Sequence, residues 1–372
     1  MRNTLICTVG TSFLFNLGRL EESNPLRQAK DAKNWKQVSL GLLDLPNTER
    51  VCGAEINSIT SLCGEQLLDR RDRLVFLLSE TADAMAIGEI LQQYYRHSRN
   101  PLRFETVETR VLIGLRDDDV QAFQQQGLKN LVVEISQEVR KFSAEAIAIN
   151  ATGGYKAQIS FAGMIGQALG IPVYYLFEKF SKVIKLPPQP VALDLGLWLE
   201  HYSLFEALEV EQQIAIEDFD EDELKVPGVE TMIDRVDLDG REFVALSAMG
   251  QLFHERCRLQ FPQQQTVLLA NVPQDDTAAD RKKIELREDH GNDVLLPFAQ
   301  KLCRSPYVKS VLNSLPFNSR RRNCIRRAKA DGVVEFVLIW TDRGLGLCVQ
   351  TTGRTLAETN TIALYLKEEY GG

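Results

Sequence analysis

Histidine is scarce. The 372 residues contain four, His97, His201, His254 and His290, so chemistry that turns on an imidazole has few places to sit. The seven cysteines (7, 52, 63, 257, 303, 324 and 348) are scattered, odd in number and free of any Cys-x-x-Cys pair. That pattern argues against a disulfide framework or a zinc ribbon and predicts a reducing, cytoplasmic setting. No apolar run approaches the ~20 residues of a membrane helix. The opening MRNTLICTVGTSFLF lacks a signal-peptide pattern and reads as a strand entering a turn, so no membrane partner is expected. There is no internal repeat.

What is present is ordinary globular material, 44% apolar and 25% charged, in a length that suits two or three domains. Charge is unevenly placed. Residues 301–372 carry twelve basic and six acidic side chains, a local +6 in a chain whose net charge is −8. A positive unit joined to an acidic body fits a module that meets phosphates.

Residues 1–185 alternate short apolar runs (4–9, 74–78, 111–115, 146–149, 172–177) with helical patterns (81–95, 118–142, 155–169). This predicts an α/β domain with a mainly parallel sheet, whose ligands sit outside the carboxyl ends of the strands. The stiff KLPPQP segment at 185–190 reads as a connector. A helix over 193–211, an acidic solvated run at 217–223, and a strand, Asp239-Gly240 turn and helix across 236–257 suggest a small winged-helix-like middle domain over 186–278. The tail, 279–372, is expected to be α+β: helices over 280–288 and 293–313, a hairpin of 332–341 with 345–350 about Asp342-Arg343-Gly344, and a final helix over 357–370.

Two loops draw attention. Thr8-Val9-Gly10-Thr11-Ser12 ends the first strand with backbone N–H groups and hydroxyls where a sheet opens. Asn150-Ala151-Thr152-Gly153-Gly154-Tyr155-Lys156 stands between an apolar strand and an apolar helix. Its glycines permit close approach of a ligand, and Lys156 opposes the helix dipole unless an anion joins it. The spacing is neither a Walker A loop nor a dinucleotide fingerprint. A third strand end, Ser79-Glu80-Thr81, reads more simply as a helix cap.

Together these residues resemble the CARF domain, the Rossmann-like sensor of cyclic oligoadenylates in type III CRISPR systems. The resemblance rests on CTVGTS and INATGGYKAQISFAGMIGQALGIPVYYLF and spans about 1–185. It implies a homodimer that binds one symmetric ring, most commonly cyclic tetra-adenylate, as an allosteric activator, with no other cofactor and no metal. By position, Gly10, Thr11 and Ser12 would be one set of ligand contacts, and Asn150, Thr152, Gly153, Gly154 and Lys156 the other.

Such sensors usually act through a C-terminal effector. A HEPN ribonuclease needs an arginine, four to six intervening residues and then a histidine, and no such spacing occurs. A metal-dependent nuclease hairpin would need more than the lone Glu335. The tail instead offers arginine: Arg320, Arg321, Arg322, Arg326 and Arg327 before one strand, Arg343 at the hairpin turn, Arg354 after the next. RNA can be cut by its own 2′-hydroxyl if the strand is positioned and the phosphorane charge neutralised, tasks that suit guanidinium groups. Residues 280–372, and DRGLGLCVQTTGRTLAETNTIALYLKEEYG above all, resemble the RelE family of ribosome-dependent mRNA interferases. The resemblance implies ribosome and mRNA as partners, with Arg354, Arg343, Arg327 and Arg326 as the catalytic set. The family's lysine pair is absent, and no active-site tyrosine stands out. Two alternatives stay open at this stage: a ligand-responsive DNA-binding regulator, and a CARF domain that itself degrades its ring.

Overall fold

The computed structural model describes all residues except 178, 189–192, 220, 288–290, 318–323, 340–343 and 371–372. Met1–Ala192 with Ser247–Leu252 form one compact unit, and Leu193–Leu246 with Phe253–Gly372 form another. Among the described residues no helix is long and apolar enough to cross a membrane.

The first unit opens with β1 (Thr4–Thr8) and a helical run that the sequence pattern left unassigned: α1 (Ser12–Gly18), α2 (Pro25–Asp31), α3 (Trp35–Leu42) and α4 (Gly53–Gly64). Asn24 and Asn34 start α2 and α3 by accepting from the Leu26 and Gln37 backbone N–H groups. Then follow β2 (Arg73–Ser79), α5 (Ala82–Arg96), β3 (Thr106–Leu112), the single turn α6 (Val120–Ala122), α7 (Leu128–Phe142), β4 (Ile147–Asn150), α8 (Lys156–Leu169), β5 (Val173–Tyr175) and β6 (Ile184–Leu186). The sheet order is β3-β2-β1-β4-β5-β6, parallel except for the antiparallel edge β6.

Strand alternation sorts the two faces. Leu5, Cys7, Leu74, Phe76 and Leu78 join one apolar cluster with residues of α1 to α5. Ile6, Val75, Leu77 and Ile149 are equally buried on the other face. There Arg73 reaches Glu138 of α7, and Gly166 of α8 lies against Val173. The chain thus winds one way from β1 to β3 and the other way from β4 to β5. The winding reverses between β1 and β4, where an open α/β sheet leaves a crevice at its carboxyl edge.

The third strand lies earlier than expected, at Thr106–Leu112 rather than 111–115. Its Glu108 and Arg110 disguised it. Both are consumed in a charge network with Arg73, Glu134 and Glu138, so this edge strand carries charge where an apolar run was sought.

The second unit contains α9 (Leu195–Glu200), α10 (Tyr202–Glu211), β7 (Ile214–Ala215), α11 (Glu221–Leu224), α12 (Pro227–Glu230), β8 (Ile233–Leu238) and β9 (Arg241–Leu246). The long α13 (Ala248–Ala270) comes next, then α14 (Asn292–Leu302), β10 (Val308–Phe317), β11 (Ile325–Ala328), β12 (Val333–Ile339), β13 (Gly344–Thr351) and α15 (Leu356–Tyr370). The first residues of α13 belong to the other unit. Three strands pair antiparallel as β7-β9-β8, and four as β10-β13-β12-β11. Asp239 and Gly240 both take positive φ (55° and 82°), the geometry of a tight two-residue hairpin between β8 and β9. The segments expected as separate domains over 186–278 and 279–372 share one apolar cluster, from Leu195 and Trp198 to Ile362 and Leu366.

The tail departs from expectation in two places. Residues 283–285 are extended rather than helical: the Glu285 N–H donates to Val311 and the Val311 N–H to Lys283. The helix expected over 293–313 stops at Leu302, and β10 follows. Among the described side chains of that strand the buried positions are Val308, Val311 and Ser314, three apart. Register shifts at 308/310 and 311/313 explain this spacing. Each adds a residue, which turns the two-residue strand repeat into a three-residue one that imitates a helix.

Candidate ligand site and candidate RNA interface

The two glycine-bearing loops meet at the point where the winding of the first unit reverses. Thr8 Oγ1 donates to the Gly153 carbonyl. A Cβ on Gly10 would stand 2.8 Å from the Gly154 nitrogen, and one on Gly153 would stand 2.8 Å from the Gly10 nitrogen and overlap Glu55 Oε1. Gly154 has φ of +112°. Glycine at these positions therefore lets two backbones touch, and the loops form one rigid rim.

Behind the rim lies a buried polar relay. Glu55 of α4, 1% exposed, accepts from the Gly10 N–H at 2.8 Å through Oε1, and Oε2 is unpartnered. Burial raises its carboxyl above the usual range, against the pull of the Gly10 hydrogen bond. Asn150 is turned inward: its amide donates to Ser58 Oγ at 2.8 Å and its oxygen accepts from Thr152 Oγ1 at 2.6 Å. Thr152 in turn accepts from the Leu176 N–H. Asn150 and Thr152, expected as ligand contacts, are thereby engaged in shaping the loop.

The residues left facing solvent are Thr11, Ser12 and Lys156. Lys156 opens α8 and has no carboxylate partner among the described residues. Thr11 and Ser12 line a cavity of about 710 Å³ on the side of α1 to α3; Lys156 is not part of its wall. Tyr155, in the second loop and just before α8, meets the Phe123 ring edge-on at 5.6 Å. Burial, with Asp117 nearby, raises its phenol. Thr81 accepts from the Ala84 N–H and so caps α5. The sequence reading missed Glu55 and Ser58, which sit in an unassigned helix and carry no motif.

In the second unit the arginines do not converge on one described cavity. Arg326 and Arg327 are both exposed on β11 because a register shift at 325/327 interrupts the alternation. Arg326 lies 3.6 Å from Glu335 of β12, and Lys329 stands equally close to the same side chain. Arg354 follows β13 and is held by Glu358, with Nη2 2.7 Å from Oε1 and Nε 3.1 Å from Oε2, and by the Asn271 carbonyl. Arg343 lies outside the described residues, as do Arg320, Arg321 and Arg322. Burial pushes the Tyr365 phenol up to about 12, so at neutral pH it can donate a proton but not accept one.

Half-buried Glu206 and Glu209 and buried His254 form a cluster with the makings of a metal centre. Its chemistry says otherwise. The Trp198 indole, a donor only, gives its hydrogen to His254 Nδ1 at 2.8 Å. The nitrogen that faces the carboxylates, Nε2, lies 2.6 Å from Arg258 Nη2, so a guanidinium already stands where an ion would bind. Arg258 supplies the cation, paired with Glu209 and 3.5 Å from Glu206.

The first unit is thus a doubly wound α/β domain whose exposed polar loop residues gather at its switch point. Residues 50–189, from just before α4 through β6, match the profile of a family described as CRISPR-associated protein (Cas_APE2256). Similar solved structures include protein VC1899 from Vibrio cholerae, 9% identical over 83% of this chain and 87% of that one, with a TM-score of 0.28. Another is Can2 from Sulfobacillus thermosulfidooxidans in complex with cyclic tetra-adenylate, 12% identical over 74% and 71%, with a TM-score of 0.23. No curated protein sequence matches the chain.

Proposed function

We propose that this chain is a cyclic-oligoadenylate-responsive effector of type III CRISPR defence. In this reading residues 1–185 form a CARF-type sensor, and residues 279–372 form a RelE-type endoribonuclease that cuts mRNA on ribosomes without a metal. The observation that carries it is the contact of Gly10 with Gly153 and Gly154 at the switch point, with Thr11, Ser12 and Lys156 exposed beside it. Such a rim offers N–H groups, hydroxyls and one full positive charge to a phosphodiester. The CRISPR-associated match over 50–189 supports the sensing role. The basic tail, with Arg326 and Arg327 exposed on an edge strand, supports contact with RNA. The ring would act between two copies of the chain, and the 186–278 stretch, with its hairpin and following helix, would serve as the winged-helix-like connector.

Activation requires the ring to bind the active arrangement more tightly than the resting one; a ~10³-fold effect needs about 4 kcal/mol of preference. The test is purified protein with translating ribosomes, with and without cyclic tetra-adenylate, read by toeprinting. Ring-dependent cleavage within the A-site codon is expected, and Lys156→Ala is expected to abolish the dependence by weakening ring binding. Intact mRNA in both reactions overturns the nuclease assignment, and linear products from the ring alone would mark the sensor as a ring-degrading enzyme.

A further inference from the structure

The cavity beside the first loop has a composition that the two glycine loops do not explain. Its wall includes Thr11 and Ser12, the aromatic residues Phe15 and Trp35, Lys30 and Lys33, with Asp31 and Asp83 among them. We propose that this cavity is a purine-nucleotide subsite in which Trp35 stacks the base while Lys33, with Thr11 and Ser12, takes a phosphate. This deepens the ring-sensing reading and rests on it, because it names where one adenylate unit lies.

Size permits it: about 710 Å³ falls within the ~300–1,000 Å³ of small-molecule sites. The aromatic is placed for it. Trp35 begins α3 half-buried, its inner side packed on the apolar cluster of the first unit, so the indole is held while part of it faces the cavity. An aromatic face fixed in this way is what a single unpaired base stacks on. Phe15, 60% exposed, supplies a second ring.

The cation is placed at a cost to the backbone. Lys33 adopts φ of 52°, a left-handed conformation that a side chain with a Cβ takes reluctantly. Two backbone bonds enforce it, from the Lys33 N–H to the Lys30 carbonyl at 2.9 Å and from the Asn34 N–H to the Ala29 carbonyl at 2.8 Å. Lys30 is paired with Asp31 at 3.0 Å, whereas Lys33 has no carboxylate partner among the described residues. The left-handed turn at Lys33 is one that commonly ends a helix, here α2, and it leaves a lysine without a carboxylate partner on the cavity wall, open to a phosphate. Asp83, exposed on the first turn of α5, offers an acceptor to a ribose hydroxyl or an adenine amine.

The test is titration of the full chain with cyclic tetra-adenylate and, separately, with ATP, by calorimetry and tryptophan fluorescence. Wild type, Trp35→Phe, Trp35→Ala and Lys33→Ala are compared. The expected result is quenching in wild type that disappears in Trp35→Phe, with ring affinity changed less than about threefold. Trp35→Ala should weaken the ring about tenfold or more, and Lys33→Ala several-fold, most at low salt. If Trp35→Ala melts early, Trp35→Phe and Lys33→Ala still decide the matter. Unchanged ring affinity and persistent quenching in the variants would overturn this subsite and leave the sensing role standing. Trp35-dependent binding of ATP without binding of the ring would keep the subsite and overturn the ring as ligand. Failure of both ligands to bind wild type would overturn both.

Discussion

The Gly10 backbone N–H and the Glu55 carboxyl are joined at 2.8 Å, a bond from the first ligand loop to a buried acid on α4. The same carboxyl oxygen fills the space where a side chain at Gly153 would begin. One acid thus fixes the separation of both loops. Gly153→Ala should cost about 1–3 kcal/mol, as overpacking does, and should lower the melting temperature of the first unit. Unchanged melting would show that the rim is pliant.

Glu55 also has a predictable pH signature. Burial raises its folded-state value above 4.5, so the native state holds its proton more tightly than the unfolded chain. The stability tied to that proton is complete below 4.5 and is lost as pH rises through the raised value. Glu55→Gln should therefore melt about 2–4 °C higher than wild type near pH 7, with the gap closing toward pH 4.5. A constant gap across the range would refute the assignment.

Arg73, Arg110, Glu108 and Glu138 predict the opposite slope. Hydrogen bonds from Arg73 hold Glu108 below the carboxylate range; for Glu138, Arg73 and Arg110 prevail over a burial effect that would raise it. Their contribution is present above about 4.5 and is lost as pH falls further. Glu138, with a side chain only 3% exposed, is bonded to both arginines. Glu138→Ala would remove the buried acceptor that both arginines share and leave Glu108 to bridge them, a loss of up to about 3–5 kcal/mol, the range for a broken buried pair. Denaturant unfolding at pH 7 should show the loss, and the difference should shrink at pH 4.

The His254 cluster makes a prediction about metals. With Arg258 as its cation and the imidazole oriented by Trp198, the second unit should melt at the same temperature after dialysis against a strong chelator. Trp198→Phe should lower that melting temperature, by about 1–3 kcal/mol for an orphaned buried acceptor. A chelator-sensitive transition would instead identify the cluster as a metal centre.

How much of this was legible follows from which signals are local. The parallel strands of the first unit announce themselves because both faces are covered, which leaves runs such as Leu74–Leu78 continuously apolar. Glycines after β1 and β4 were legible as loops. Their mutual contact was not, because it depends on positions more than 140 residues apart. Glu55 gave no sign, since an acid in an amphipathic helix ordinarily faces water. Strand β10 was hidden by its register shifts, and β3 by charges whose partners are distant in sequence. Arg354 was readable as a basic residue in a glycine turn. Its pairing with Glu358, one helical turn ahead, follows from i,i+4 spacing and was open to reading.

That pairing decides how the proposed nuclease must work. Arg354 is exposed, and Glu358 and the Asn271 carbonyl hold Nε and Nη2, so a two-nitrogen grip on a phosphate requires displacing one of them, the carboxylate on the Nε side. Exposed pairs of this kind are weak and screened by salt, so displacement by a closely held RNA strand is feasible. Glu358→Gln should then raise ring-independent cleavage or RNA affinity several-fold, by removing a competitor for the guanidinium. Arg354→Ala should abolish cleavage while leaving ring affinity unchanged, and Arg354→Lys should recover little, because an ammonium cannot make the two parallel bonds of a guanidinium. Ribosomal cleavage assays with the three variants, alongside ring titrations, separate the outcomes. Full cleavage by Arg354→Ala would move the catalytic role away from this end of the sheet and reduce the Arg354–Glu358 pair to a surface brace.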